Sequence, residues 1–129
     1  GSVNVFDRDL RYLYAEGRGL AAVGLSTEQL YGKTLGSVFP PESVAYVTPR
    51  YLHVLAGHDV EFELFFSEHW YTINASPLRD ADGAVWALVA VALDITERKR
   101  LEQLRDQFVA SVAHDLKTPI AAIVSVHAA

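Results

Sequence analysis

The chain has 129 residues, is half apolar and carries a formal charge of −5. That is enough apolar content for one buried core, with no basic surplus of the kind that marks a nucleic-acid binder. The absence of cysteine excludes disulfides, thiolate metal sites and thiol nucleophiles. No stretch is apolar for long enough to span a bilayer, since AVWALVAVAL is only about strand length. The opening Gly1-Ser2 and the lack of methionine lead us to expect an excised piece of a longer protein, with any targeting or membrane segment upstream.

VNVFDRDLRYLYAE predicts two short strands around a tight turn at Asp7-Arg8-Asp9. Ser26 followed by Gln29 makes a capping box and opens a helix. Gly32 and Gly36 break it, and Pro40-Pro41 ends a short turn at Phe39. A longer helix is expected from about Ser43 to Ala56, stopped by Gly57. Pro49 lies inside it, which predicts a kink or a later start. The period then changes to two: in DVEFELFF, Val60, Phe62, Leu64 and Phe66 form one buried face. HWYTINASPL continues as a second strand, and Asp82-Gly83 turns the chain into a third. That third strand, AVWALVAVAL, is apolar on both sides, as a strand near the centre of a sheet should be. Two strands, several short helices and three more strands imply an α+β fold, an antiparallel sheet with helices on one face.

At Asp94 the composition shifts. DITERKRLEQLRDQF is dense in charge, and Asp94 is placed to cap the N–H of Glu97 while Glu97 reaches back. Apolar residues then recur at 101, 104, 108, 112, 116, 120 and 123. A charged helix with one narrow apolar seam usually buries it against a copy of itself, so a homodimer through this helix is expected. The domain boundaries read as 1–93 and 94–129.

The first part of the chain resembles a PAS sensor domain. The resemblance rests on VFDRDLRYLYAEG, STEQLYGKTLGSVFP, the hairpin region YTINASPLRDADG, and the exit DITERK. It implies a five-stranded antiparallel sheet cupping a small-molecule cavity, followed by a long signalling helix. FVASVAHDLKTPIAAI, residues 108–123, resembles the phosphoacceptor box of sensor histidine kinases. That resemblance implies that His114 accepts a phosphoryl group from ATP and passes it to an aspartate on a response regulator. It assigns Asp115 as the acid that activates His114, Thr118 as the group that orients water for dephosphorylation, and Pro119 as the point where the helix bends. The family's second hairpin helix and ATP-binding domain are not in the sequence, so this piece should not phosphorylate itself. ATP would act only through the missing domain, in the cytoplasm, whether or not the whole protein is tethered to a membrane.

The residues support that assignment. At about 100° per residue, Phe108, Val112, Leu116, Ile120 and Ile123 share one side of a helix. His114 falls nearly opposite, toward solvent, where a nucleotide and then a receiver domain can reach it. Neutral imidazole has one nitrogen free to attack and one carrying a proton, and an adjacent carboxylate can hold that proton. What the PAS part senses is less legible. His53 is a candidate haem ligand, with a partly exposed helix histidine as the preferred reading. His58 and His69 have no partner at metal spacing, and no metal site is expected. Trp70, Tyr71, Trp86, Phe62 and Phe66 are candidates for a pocket lining or for core. Two other functions stand beside the kinase: a ligand- or haem-binding PAS module whose helix only dimerises, and a PAS domain feeding a cyclase or transcription activator. The HDLKTP string argues against the latter.

Overall fold

A computed structural model describes the backbone of residues 1–128 and the side chains of residues 1–117. The chain divides into two units, Gly1–Ile95 and Thr96–Ala129.

The first unit opens with β1 (Ser2–Asp7) and β2 (Tyr12–Gly17), an antiparallel pair. The Asp7 side chain makes the turn between them: its Oδ1 accepts the N–H groups of Asp9 at 2.9 Å and Arg11 at 3.0 Å. A carboxylate bonding the backbone ahead of it is the usual reason for an aspartate at a turn entry. Leu10, in the same turn, takes a left-handed φ of 58° and is nevertheless buried, so packing holds the strained backbone.

Two short helices follow, α1 (Arg18–Ala22) and α2 (Thr27–Leu30), then a 3-10 turn at Leu35–Ser37. Ser26 precedes α2 as expected, but its hydroxyl donates to the Gln29 side chain at 3.2 Å and not to a backbone group. The α2 segment closes the free edge of β2. Thr27 Oγ1 both donates to the Ala15 carbonyl and accepts the Ala15 N–H, at 2.9 and 3.1 Å. Tyr12 is bonded in the same way by Gly32 and Lys33.

Helix α3 (Pro41–Leu55) starts two residues earlier than the sequence suggested, with Pro41 in the first turn, where a missing N–H costs nothing. It runs through Pro49 without ending. Proline there removes the donor for the Ala45 carbonyl, but Pro49 is exposed while Val47, Tyr51, Val54 and Leu55 on the opposite side are buried. The buried side holds the helix together. Gly57, at φ 108°, takes the chain out of it.

Strands β3 (Val60–Phe66), β4 (His69–Arg79) and β5 (Val85–Asp94) complete one antiparallel sheet in the order β2-β1-β5-β4-β3. β5 is central, which is why it is apolar on both faces. Leu88 and Ala90 point into the core with Phe6 of β1 and Ala75 of β4. The core is aromatic where α3 meets the sheet: the Phe6 ring lies 4.4 Å from Tyr12 and 5.3 Å from Tyr51, and Tyr51 lies 6.2 Å from Phe62. Burial raises the phenol pKa of both Tyr12 and Tyr51, and Tyr12 adds to the shift of Tyr51.

The second unit is one long helix, α4 (Thr96–Ala128). Among the described residues no helix is long and apolar enough to cross a membrane.

Candidate functional site

On α4 the His114 and Asp115 side chains are 81% and 79% exposed, and Nδ1 of the imidazole lies 3.7 Å from Oδ1 of the carboxylate. That is ion-pair range, slightly beyond a hydrogen bond. Lys117 is exposed one turn away. The expectations for Thr118 and for a bend at Pro119 fall on side chains outside the described residues.

The row Leu101, Leu104, Phe108, Val112 and Leu116 is exposed in the single chain. Polar residues beside it pair along the helix: Arg98 with Glu102 at 3.6 Å, and Arg100 with Glu97 at 2.5 Å. Arg100 lowers the Glu97 carboxyl pKa, first by hydrogen bonding and then by its charge. Glu97 thus reaches forward to Arg100, whereas the sequence suggested that it reaches back to Asp94.

Asp94 sits at the end of β5, two residues before α4. Its Oδ2 is 2.8 Å from Nδ1 of His69, the first residue of β4. Beside this pair the Ile95 N–H donates to the Trp70 carbonyl at 2.8 Å, and Tyr71 stands opposite Asp94 in the β4–β5 register. The phenol pKa of Tyr71 is raised, first by burial and then by the Asp94 charge. The last residues of the sheet are therefore stitched to the start of β4 by three successive residues. Sequence spacing placed His69 near a strand end but gave no hint of its partner, which only the register supplies.

His53, the haem candidate, lies on the exposed side of α3. Its ring stacks on His58, with centroids 4.1 Å apart and planes 5° from parallel. It is therefore not brought to the side of α3 that meets the sheet. Among the described residues no group of three or more metal-ligating side chains forms. Of the aromatic candidates, Phe62 is core and Phe66 packs against it, edge-on to Phe39 at 4.8 Å, while Trp86 is exposed.

Two surface grooves flank α3. One, of about 580 Å³, runs between the 3-10 turn and α3 and is lined by Phe39, Pro41, Val44, Thr48 and Pro49 among others. The other, of about 300 Å³, lies between the first half of α3 and the β3–β4 hairpin and includes Glu42, Ser43, Glu63 and Trp70.

The chain resembles known proteins in part of its sequence and in its fold. The chain is 40% identical over 48 residues to the sensor histidine kinase WalK of Bacillus subtilis, a match covering 37% of this chain and 8% of that protein. Among solved structures it resembles a sensory box sensor histidine kinase from Vibrio cholerae, with TM-score 0.59 and 18% identity over 74% of this chain and 82% of that one. It also resembles the PAS domain of the histidine kinase ThkA, with TM-score 0.57 and 18% identity over 70% and 94% of the two chains. The family described as the PAS fold matches residues 2–100, the span that holds the whole sheet, its helices and the Asp94–Ile95 exit, and the chain accordingly belongs to the PAS-fold family.

Proposed function

We propose that this chain is the sensory and phosphoacceptor segment of a two-component sensor histidine kinase, with His114 the residue that is phosphorylated. The observation that carries the reading is the exposed His114–Asp115 pair, 3.7 Å apart, within the string HDLKTP. The likeness to WalK supports it.

In this reading Asp115 lies on the Nδ1 side and holds the imidazole proton there, so that Nε2 is the attacking nitrogen. Nε2 attacks the γ-phosphorus of ATP presented by an ATP-binding domain. The N–P bond forms, the bond to the β–γ bridging oxygen breaks, and ADP leaves. A receiver-domain aspartate then takes the phosphoryl group, and His114 returns to neutral imidazole. Thr118, one turn on, is the proposed water-orienting residue for dephosphorylation. The exposed row on α4 is proposed to pair with a second copy, giving both histidines one dimeric scaffold. Because the chemistry consumes ATP, the proposed location is the cytoplasm.

The test is phosphotransfer from radiolabelled ATP by a supplied ATP-binding domain of a WalK-type kinase. The expected product is an acid-labile, base-stable label that is absent from His114→Gln. Undiminished label on His114→Gln overturns the assignment.

A further inference from the structure

We propose that the outer edge of β3 takes up an extended segment of a partner protein as an added strand, one in which lysine or arginine alternates with apolar residues. The two edges of the sheet differ. In the order β2-β1-β5-β4-β3, β2 and β3 each have a strand on one side only. The β2 edge is covered: Thr27 bonds both backbone groups of Ala15, and Gly32 and Lys33 bond those of Tyr12. Among the described residues no backbone group outside the sheet bonds β3.

The register says which groups face outward. The Trp70 carbonyl accepts the Ile95 N–H at 2.8 Å, so the Trp70 backbone turns toward β5. Bonded and non-bonded pairs alternate along an antiparallel ladder. Phe65, opposite Trp70, therefore turns its N–H and C=O away from β4, and so does Glu61, four residues back. The hairpin agrees: Ser67 and Glu68 have φ of 51° and 63°, a two-residue turn of the kind that closes on a bonded pair, here Phe66 and His69. Glu61 and Phe65 thus present two donor–acceptor sets about 14 Å apart. Glu63, between them, makes interactions of its own, and the pairing needs only the two residues that flank it. β3 also holds no proline or lysine. Its register with β4 is unbroken, whereas the β1–β2 and β4–β5 pairs are each bulged. Proline, lysine and bulges are the usual means of blunting an edge.

There is room for the added strand. A groove of about 300 Å³ is lined by Glu42, Ser43 and Tyr46 of α3 together with Leu64 and Phe65 of β3. Leu64 is buried on the face toward α3, while Phe65 is 49% exposed on the other face. A groove that touches both passes over the strand edge. The exposed Tyr46 ring, edge-on to Phe62 at 5.8 Å, gives apolar side chains of the incoming strand a seat on the α3 side.

Charge chooses the occupant. Glu61 stands at the edge and Glu42 lines the groove, which no lysine or arginine lines. A second copy added antiparallel sets glutamate against glutamate when the pair centres on Phe62 or Glu63, and like charges directly opposite are destabilising. Centring on Leu64 avoids this but places Glu61 opposite Ser67, in the turn. A basic residue opposite Glu61 meets the opposite charge instead. The site does not depend on His114 accepting phosphate.

The test follows amide hydrogen exchange in the nitrogen-15-labelled chain during titration with a blocked peptide of alternating lysine and valine, seven residues long like β3. The controls are the same peptide with glutamate for lysine, and the peptoid with the lysine–valine side chains, which has no backbone N–H to donate. The expected result is saturable, several-fold slower exchange at the Glu61 and Phe65 amides with the lysine peptide. The glutamate peptide should act more weakly and the peptoid not at all, and the Tyr12 and Ala15 amides on the covered edge should not respond. Glu61→Lys should weaken the lysine peptide by up to about fivefold. Phe65→Pro should fold, because proline is tolerated where an edge N–H faces outward, and should abolish the protection at Glu61. Exchange that stays unchanged at millimolar peptide, or that answers the glutamate peptide or the peptoid equally, overturns the proposal. Slowing that grows with protein concentration in the absence of peptide makes a second copy the occupant and overturns it too. The peptide and peptoid comparison needs no variant, so a variant that fails to fold leaves the outcome decidable.

Discussion

His69 and Asp94, twenty-five residues apart in sequence, meet at 2.8 Å where the sheet ends. Both side chains are partly exposed, so the pair belongs with surface ion pairs of about 0.2–1 kcal/mol, a local fastening more than a source of global stability. Asp94→Asn should therefore leave the denaturation midpoint nearly unchanged but increase opening at the junction. Hydrogen exchange at the Ile95 amide, which donates to Trp70, is expected to speed up by up to about fivefold, while the amide of Leu88 in the core stays protected. The phenol pKa of Tyr71 should fall in the same variant, because one of its two raising causes is the Asp94 charge. A Tyr71 titration that does not move would remove Asp94 from its environment.

The two buried tyrosines set an alkaline limit on the fold. Tyr12 and Tyr51 have phenol pKa values raised above the ordinary 10.0, chiefly by burial. Below pH 10 both are protonated in the folded and unfolded chains, and their contribution is fully present. Above pH 10 the unfolded chain releases two protons that the folded chain keeps, so stability falls as pH rises toward the folded values. The two groups together give a slope of about 2.7 kcal/mol per pH unit. Urea midpoints measured at pH 9 and pH 11 should drop accordingly, and Tyr51→Phe should about halve the drop.

What the sequence made legible was what depends on local period and turn chemistry. The alternation at Val60, Phe62 and Leu64 marked a strand with one buried face, and the two-sided apolarity of β5 marked the centre of the sheet; both agree with the structure. The Asp7 turn was legible because aspartate bonds its own backbone locally. Ser26 and Gln29 were found as a pair, although their bond joins side chain to side chain. What stayed hidden was everything set by register. His69 meets Asp94 only because β4 and β5 pair with Tyr71 opposite Asp94. The groove at the β3 edge gathers residues from α3, β3 and β4, so no spacing rule announces it. The start of α3 was misjudged because Pro40-Pro41 reads equally as the end of a turn and as a first helical turn.

Pro49 gives a prediction of the opposite sign to most substitutions. It sits inside α3 on the exposed side, and interior proline disfavours a helix by about 3 kcal/mol relative to alanine. Pro49→Ala restores a donor for the Ala45 carbonyl but also frees the unfolded chain, which returns about 0.4–1 kcal/mol. The net expectation is stabilisation by about 2 kcal/mol, read as a higher urea midpoint with an unchanged slope. An unchanged or lower midpoint would mean that the packing of Tyr51 and Val54 had adapted to a helix shaped by the proline.

The apolar row on α4 makes a prediction about handedness as well as pairing. Leu101, Leu104, Phe108 and Val112 follow steps of three, four and four, an eleven-residue spacing. A strict seven-residue repeat winds a left-handed supercoil, whereas eleven residues over three turns give 3.67 per turn and a straight or right-handed one. A second copy packed in parallel would then meet the row without the drift that a heptad seam would impose. The chain has no cysteine, so single cysteines can be scanned along α4 with no background. Disulfide formation is expected at positions 101, 104, 108 and 112 and not at 99, 103 or 106 on the opposite side. Phe108→Glu should halve the mass by light scattering while leaving the near-ultraviolet signal of the sheet unit intact. Cross-linking at 101, 104 and 108 followed by 111 and 115 would instead indicate a heptad seam. Equal cross-linking at every position would remove the paired helix from the proposed mechanism.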